Sequence, residues 1–169
     1  MRTIRSPTEL YAHAIALERE AAERYAEFAR RMDDLGNAAA AEVFTTLARL
    51  EEEHLQTLLE RTRGVAIPDA LSGHYAWLDD GAPETTAREL VFRLLTAHQA
   101  LEIALRAERR AQTFFENVML TADDPALRAL AREMAAEEQE HVLLIERMLE
   151  RTPDPSIDWQ AALEASRRA

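Results

Sequence analysis

The chain reads as an all-α protein, a four-helix bundle with a long crossover between helices 2 and 3 and a short C-terminal segment. Three observations predict this. Apolar residues recur at spacings of three and four through four long stretches, each opened by a capping residue and closed by a breaker. The first and third breaks are short, whereas the middle one runs for about 20 residues, far beyond the roughly 2 to 8 that join antiparallel neighbours. Finally, residues 7 to 62 and 86 to 151 carry the same elements in the same order, each half with a Glu-x-x-His motif.

Ser6-Pro7-Thr8-Glu9 is a capping box with Pro at the first helical position, so the first helix is expected over about 7–33. Tyr11, Ile15, Glu18, Ala22, Tyr25, Ala29 and Met32 form its apolar stripe, with Glu18 in the middle of it. Asp33 to Asn37 suits a tight turn. The second helix follows over about 37–62, with the stripe Ala40, Phe44, Leu47, Glu51, His54 and Leu58, and Gly64 ends it. Pro68, Gly73, Gly81 and Pro83 punctuate a crossover over 63–85, which returns along the bundle between parallel helices and carries Tyr75, Trp77 and Leu78 as apolar anchors. Thr86-Ala87-Arg88-Glu89 reads as a capping box that opens a third helix over about 86–120, with the stripe Leu94, Leu101, Leu105, Glu108, Ala111, Phe115 and Met119. Asp124-Pro125 caps the fourth, over about 124–151, with Leu127, Leu130, Met134, Glu138, His141, Ile145 and Met148 facing inward. Thr152 to Pro155 stops it, leaving a tail over 152–169 that either docks through Trp159 or frays.

At 169 residues and 47% hydrophobic, the chain suits one domain over 1–169. A net charge of -11 argues against nucleic-acid or anionic-membrane partners, which need a basic patch. All 20 basic residues are Arg, which removes Lys-based phosphate loops and Schiff-base chemistry. There is no cysteine, so disulfides, thiolate metal sites and iron–sulfur centres are excluded within these residues. The N-terminal residues lack the apolar core of a signal peptide and no stretch approaches 18 apolar residues. A cytoplasmic protein without a membrane partner is expected.

The chemistry lies in the two motifs, Glu51-x-x-His54 and Glu138-x-x-His141. Glu18 stands 33 residues before Glu51, and Glu108 stands 30 before Glu138, each in the middle of its own helix. Residues three apart on a helix are turned about 60° and raised about 4.5 Å, so the Glu and His of each motif project toward one point. Four carboxylates and two imidazoles converging inside a bundle form a set for two metal ions. Charge makes the same case, because two divalent cations balance four buried carboxylates that otherwise have to protonate. The His-Glu-x-x-His motif of single-zinc proteases is absent. His13, His74 and His98 read as ordinary surface or half-buried residues. Glu20, Glu23, Glu52, Glu53, Glu102, Glu137 and Glu140 read as a solvated face. Tyr25 lies two helical turns beyond Glu18, within reach of a ligand carboxylate or bound peroxide, while Phe115 holds the matching place after Glu108 with no hydroxyl.

At these residues the chain resembles the rubrerythrin-like branch of the ferritin-like superfamily of di-iron carboxylate proteins, over about residues 7 to 150. The resemblance implies a ferritin-like bundle with Glu51 and Glu138 bridging two iron ions, Glu18 and His54 completing one, and Glu108 and His141 the other. It implies a peroxidase-like or ferroxidase-like oxidoreductase reacting with hydrogen peroxide or dioxygen, with manganese or zinc as substitute metals. Two features depart from the family. No cysteine is present for a rubredoxin domain, so electrons for a catalytic cycle require a separate electron donor protein. The one-turn neighbours of Glu108 are Leu105 and Ala111, where rubrerythrins carry an additional glutamate. The alternatives are an iron-binding or storage module without turnover, and a di-metal oxygenase or oxidase on an organic substrate. A homodimer is expected from the prevalence of symmetric association and from the apolar residues of the crossover.

Overall fold

Side-chain caps decide where each helix begins. In the computed structural model, which describes residues 4–68 and 94–153, the Ser6 hydroxyl accepts from the Glu9 N–H and opens α1 (Pro7–Asp34). Asn37 caps α2 (Ala38–Arg61), its side-chain oxygen accepting from the Ala40 N–H. Asp124 accepts from the Ala126 N–H and opens α4 (Pro125–Arg151), with Pro125 where the missing N–H costs nothing. Gly36 takes φ +75° in the α1–α2 turn, a backbone conformation that side chains with a Cβ rarely adopt.

The expected third helix is interrupted within the described residues: Leu94 is helical, the pattern breaks at Leu95 and Thr96, and it resumes at Ala97. Residues 69–93, and with them the Thr86 box and the anchors Tyr75, Trp77 and Leu78, lie outside the described residues. Within them, α3 (Ala97–Thr121) opens on a different capping box: Thr96 accepts from the Gln99 N–H, and the Gln99 side chain accepts from the Thr96 N–H. In an uninterrupted helix the Leu95 carbonyl would accept from Gln99. It accepts instead from the Asn37 side-chain amide at the α1–α2 turn, so the chain breaks its helical pattern at Leu95 and Thr96. Leu95 itself is buried in the core.

That same bond sets the topology, because it places the starts of α2 and α3 at one end of the bundle. At the other end, Arg61 at the close of α2 pairs with Glu133 and Glu137 in the first half of α4 and reaches the Tyr11 hydroxyl near the start of α1. The 24 residues of α2 rise about 36 Å. The connection from Arg61 to Ala97 therefore leaves one end of the bundle and arrives at the other.

Each hairpin, α1 with α2 and α3 with α4, packs along its length, and the hairpins meet through α2 against α3 and α1 against α4. The apolar core divides into two clusters. One gathers Leu10, Leu17, Leu55, Phe115, Leu127 and Met134, and the other Tyr25, Met32, Phe44, Leu47, Leu101 and Ile145. In every helix the ligand candidates fall between the two: Glu18 between Leu17 and Ala21, Glu51 between Leu47 and Leu55, Glu108 between Ala104 and Ala111, Glu138 and His141 between Ala135 and Ile145. The fold thus holds a polar layer across its middle, sealed above and below by hydrocarbon. Among the described residues there is no β-strand, and no helix is long and apolar enough to cross a membrane.

Candidate metal centre

The polar layer concentrates charge where charge is costly. Glu18, Glu51, Glu108 and Glu138 are buried, none more than 6% exposed, and His141 is buried with them. His54 is half-buried, the most accessible of the six. His141 is the hub. Its Nδ1 lies 3.3 Å from Glu108 Oε2, 3.6 Å from Glu138 Oε2 and 3.7 Å from Glu51 Oε1. On its other side, Nε2 lies 3.2 Å from His54 Nδ1, and the two rings meet edge to face at 81°. Glu18 joins through Glu51, the two carboxyls close enough to share a hydrogen, and Glu108 and Glu138 stand in the same relation.

Burial is the main force on these groups. It pushes the carboxyls of Glu51 and Glu138 well above the ordinary range, with neighbouring carboxylates adding to the rise. Glu18 is raised for the same first reason, although its hydrogen bond with Glu51 opposes the shift. For His141, burial lowers the affinity for a proton, but the hydrogen bond and charge of Glu108 outweigh it and the imidazole is raised. His54 is lowered by burial and then by His141. Without cations, burial therefore favours the protonated forms of Glu18, Glu51 and Glu138.

The donor set fits metal ions better than it fits protons. Glu18 Oε2 and Glu138 Oε2 are buried with no hydrogen-bond partner, an arrangement that costs about 1–3 kcal/mol per group, or more where charged. Ligand atoms of Glu51, Glu108 and His141 all lie within 4.8 Å of one another, near enough to share one ion. Oxygen donors with imidazole suit iron, manganese or zinc.

Tyr25 belongs to this layer too. Its hydroxyl donates to Glu108 Oε1 at 2.7 Å in a fully buried setting. Burial first, and then the charges of Glu108 and Glu51, raise the phenol well above its ordinary value, so it remains a donor. It holds one Glu108 oxygen while His141 holds the other, which fixes the carboxylate's orientation. Phe115 lies buried in the opposite apolar cluster and offers nothing equivalent. Tyr25→Phe is expected to cost about 1–2 kcal/mol of stability and to weaken metal binding about tenfold, measured by melting and by competition with a chelator. Unchanged affinity in a folded variant would remove Tyr25 from the site.

The other histidines lie elsewhere. His98 bonds the Thr152 carbonyl at 2.8 Å, His13 packs against the Phe114 ring, and His74 is outside the described residues. Glu52, Glu53 and Glu140 are exposed, and Glu137 is half-buried beside Arg61. A feature that stripe reasoning did not expose is a pocket of about 240 Å³ over the His54 and His141 edges. Among the described residues it is lined by Leu47, Leu50, Leu144 and Ile145, with Glu51, Glu140 and Arg147. Leu144 stands three residues after His141, and that spacing was the available signal.

Comparison with known proteins agrees with this geometry. The rubrerythrin family model matches residues 9–70, which span α1 and α2. A crystal structure at 2.00 Å resolution of an uncharacterized conserved protein from Magnetospirillum magnetotacticum MS-1 is similar over nearly the whole fold. It is 36% identical, covers 90% of this chain and 99% of its own, and superposes with a TM-score of 0.71. The chain belongs to the rubrerythrin-like branch of the ferritin-like superfamily. No curated protein matches it. A ferritin-like bundle with a buried carboxylate and histidine cluster fit for metal is therefore established for this rubrerythrin-like chain, whose 169 residues include no cysteine for a rubredoxin-type iron centre.

Proposed function

We propose that this ferritin-like protein holds two iron ions and couples oxidation of the Fe(II) pair to reduction of hydrogen peroxide or dioxygen, as a peroxidase-like or ferroxidase-like oxidoreductase. The supporting observation is the pair of orphaned oxygens on Glu18 and Glu138 in a sealed layer of four carboxyls and two imidazoles. In this reading Glu51 and Glu138 would serve both ions, Glu18 and His54 one, and Glu108 and His141 the other. Bound iron supplies two electrons per pair to the oxidant, and manganese or zinc is a substitute occupant.

The protein's own residues prepare that chemistry. The apolar clusters keep bulk water from the carboxyls, which strengthens their hold on a cation. The bond between His54 and His141 must open for both imidazoles to serve ions, and His54, the more exposed, has the space to turn. Tyr25 keeps Glu108 oriented throughout. Without cysteine in these residues, the reductant that restores the ferrous state is a separate electron donor protein.

Anaerobic titration of metal-free protein with Fe(II) is expected to saturate at two irons per chain. Stopped-flow mixing of the loaded protein with hydrogen peroxide, and separately with dioxygen, should produce ferric absorbance faster than free Fe(II) does. Binding of two irons that react with neither oxidant would leave a metal-binding protein without this activity.

A further inference from the structure

The pocket over the histidine edge is built unlike a port for hydrogen peroxide. We propose that it binds the organic group of a small neutral hydroperoxide, and that an alkyl or aryl hydroperoxide is the preferred oxidant at this centre. The inference rests on the di-iron reading above and names its substrate class.

Three observations lead to it. His54 and His141 line the pocket together with Glu51, so a molecule seated there touches the centre directly. Among the six candidate ligands His54 is the most accessible, and its side of the layer is where the described residues leave an opening. Beyond the polar Glu51, His54 and His141 of the centre and the charged Glu140 and Arg147, the walls are Leu47, Leu50, Leu144 and Ile145, a surface that offers hydrogen peroxide no hydrogen bond. The same walls favour a hydrocarbon group.

Size and charge narrow the ligand further. A volume of about 240 Å³ is below that of pockets for drug-sized molecules and above the roughly 150 Å³ that holds benzene. A branched alkyl or single-ring aryl group fits those limits. Glu140 and Arg147 bring one charge of each sign to the lining, so the pocket selects no ionic headgroup. A neutral hydroperoxide places its apolar group against the leucines and its O–O bond toward the metal edge.

The reaction is ROOH + 2 H⁺ + 2 e⁻ → ROH + H₂O. The O–O bond breaks and two O–H bonds form, with protons drawn from solvent at the open side. Two bound ferrous ions are oxidised to ferric, and an external electron donor protein returns the electrons.

Two readouts test the proposal. In zinc-loaded protein, which is redox-inert, 2-phenylpropan-2-ol serves as a product-like probe. Methyl NMR signals of Leu47, Leu50, Leu144 and Ile145 should shift saturably with it while those of Leu10 and Leu127 stay fixed. In iron-loaded protein, cumene hydroperoxide should oxidise the ferrous centre with an efficiency at least tenfold above that of hydrogen peroxide, and Leu144→Trp should lower that ratio at least tenfold. Leu50→Trp, from the facing helix, provides the same test if the first variant fails to fold. Failure of the probe to bind, or an oxidant ratio that pocket filling does not change, overturns the proposal. A loaded centre inert to both hydroperoxides and to dioxygen indicts the di-iron reading instead.

Discussion

Loading the metal-free protein is expected to raise its melting temperature by about 10 °C at pH 7.5 and to reverse the way stability depends on pH. The size follows from mass action, since a ligand at a thousand times its Kd contributes about 4 kcal/mol, and each kcal/mol moves the midpoint of a chain this long by roughly 2–4 °C. The sign follows from the carboxyls. Burial raises Glu18, Glu51 and Glu138 above the ordinary 4.5, so above that pH the folded metal-free chain holds protons that the unfolded chain has released. Stability then falls as pH rises from 4.5 through the folded-state values. His141 acts in the same direction: raised from 6.5 by its carboxylate neighbours against the pull of burial, it contributes fully below 6.5 and loses that contribution as pH rises further. His54 opposes, because its lowered affinity withdraws stability as pH falls below 6.5, but it is only half-buried. Metal ions displace the protons, so their contribution grows with pH. Melting curves from pH 5 to 8 should fall for the metal-free protein, with the gap to the loaded protein widening. A metal-free midpoint that climbs across this range would contradict a carboxyl layer held together by protons.

The parts of this architecture that were legible in the sequence are those that local chemistry decides. Ser6, Asn37 and Asp124 announce three of the four helix starts because the capping group and the N–H it satisfies lie within three residues of each other. The interruption of the third helix at Leu95 and Thr96 was not legible, for a related reason. Both Thr86-x-x-Glu89 and Thr96-x-x-Gln99 have the form of a capping box, and the second is confirmed by Asn37, which is 58 residues away from Leu95 in the chain. Nothing local announces that bond. The ligand candidates were legible because mid-stripe position fixes which way a helical side chain points. Contact between His54 and His141 was not, since it depends on how far each hairpin is rotated about its own axis. The pocket beside them is a volume left between side chains of α2 and α4, and no periodicity encodes a volume.

Replacing Glu51 and Glu138 together by Gln should abolish tight iron binding and yet make the metal-free protein more stable. Gln keeps the shape of Glu but presents a neutral amide, so each ion loses charge and a strong oxygen donor, and iron affinity is expected to fall by at least about a thousandfold. Most buried substitutions destabilise by about 0.5–3 kcal/mol. Here the reverse is expected. Glu51 and Glu138 are the two carboxyls that burial and mutual repulsion raise most clearly, and removing buried charges without leaving a void often gains about 1–4 kcal/mol. The new amides also donate hydrogen bonds, with Glu18 beside Glu51 and Glu108 beside Glu138 as acceptors. The gain should be largest at pH 8, where the wild-type carboxyls are under most pressure to ionise, and should shrink toward pH 5, where that pressure is weaker. The fall in metal-free stability with pH should flatten in the same variant. Iron content measured after equilibrium dialysis, together with melting at both pH values, reads the two effects separately. A variant that still binds two irons per chain would take Glu51 and Glu138 out of the ligand set. One that loses iron and is also destabilised at pH 8 would mean that these carboxylates support the fold, and the conflict between metal binding and stability at this layer would not exist.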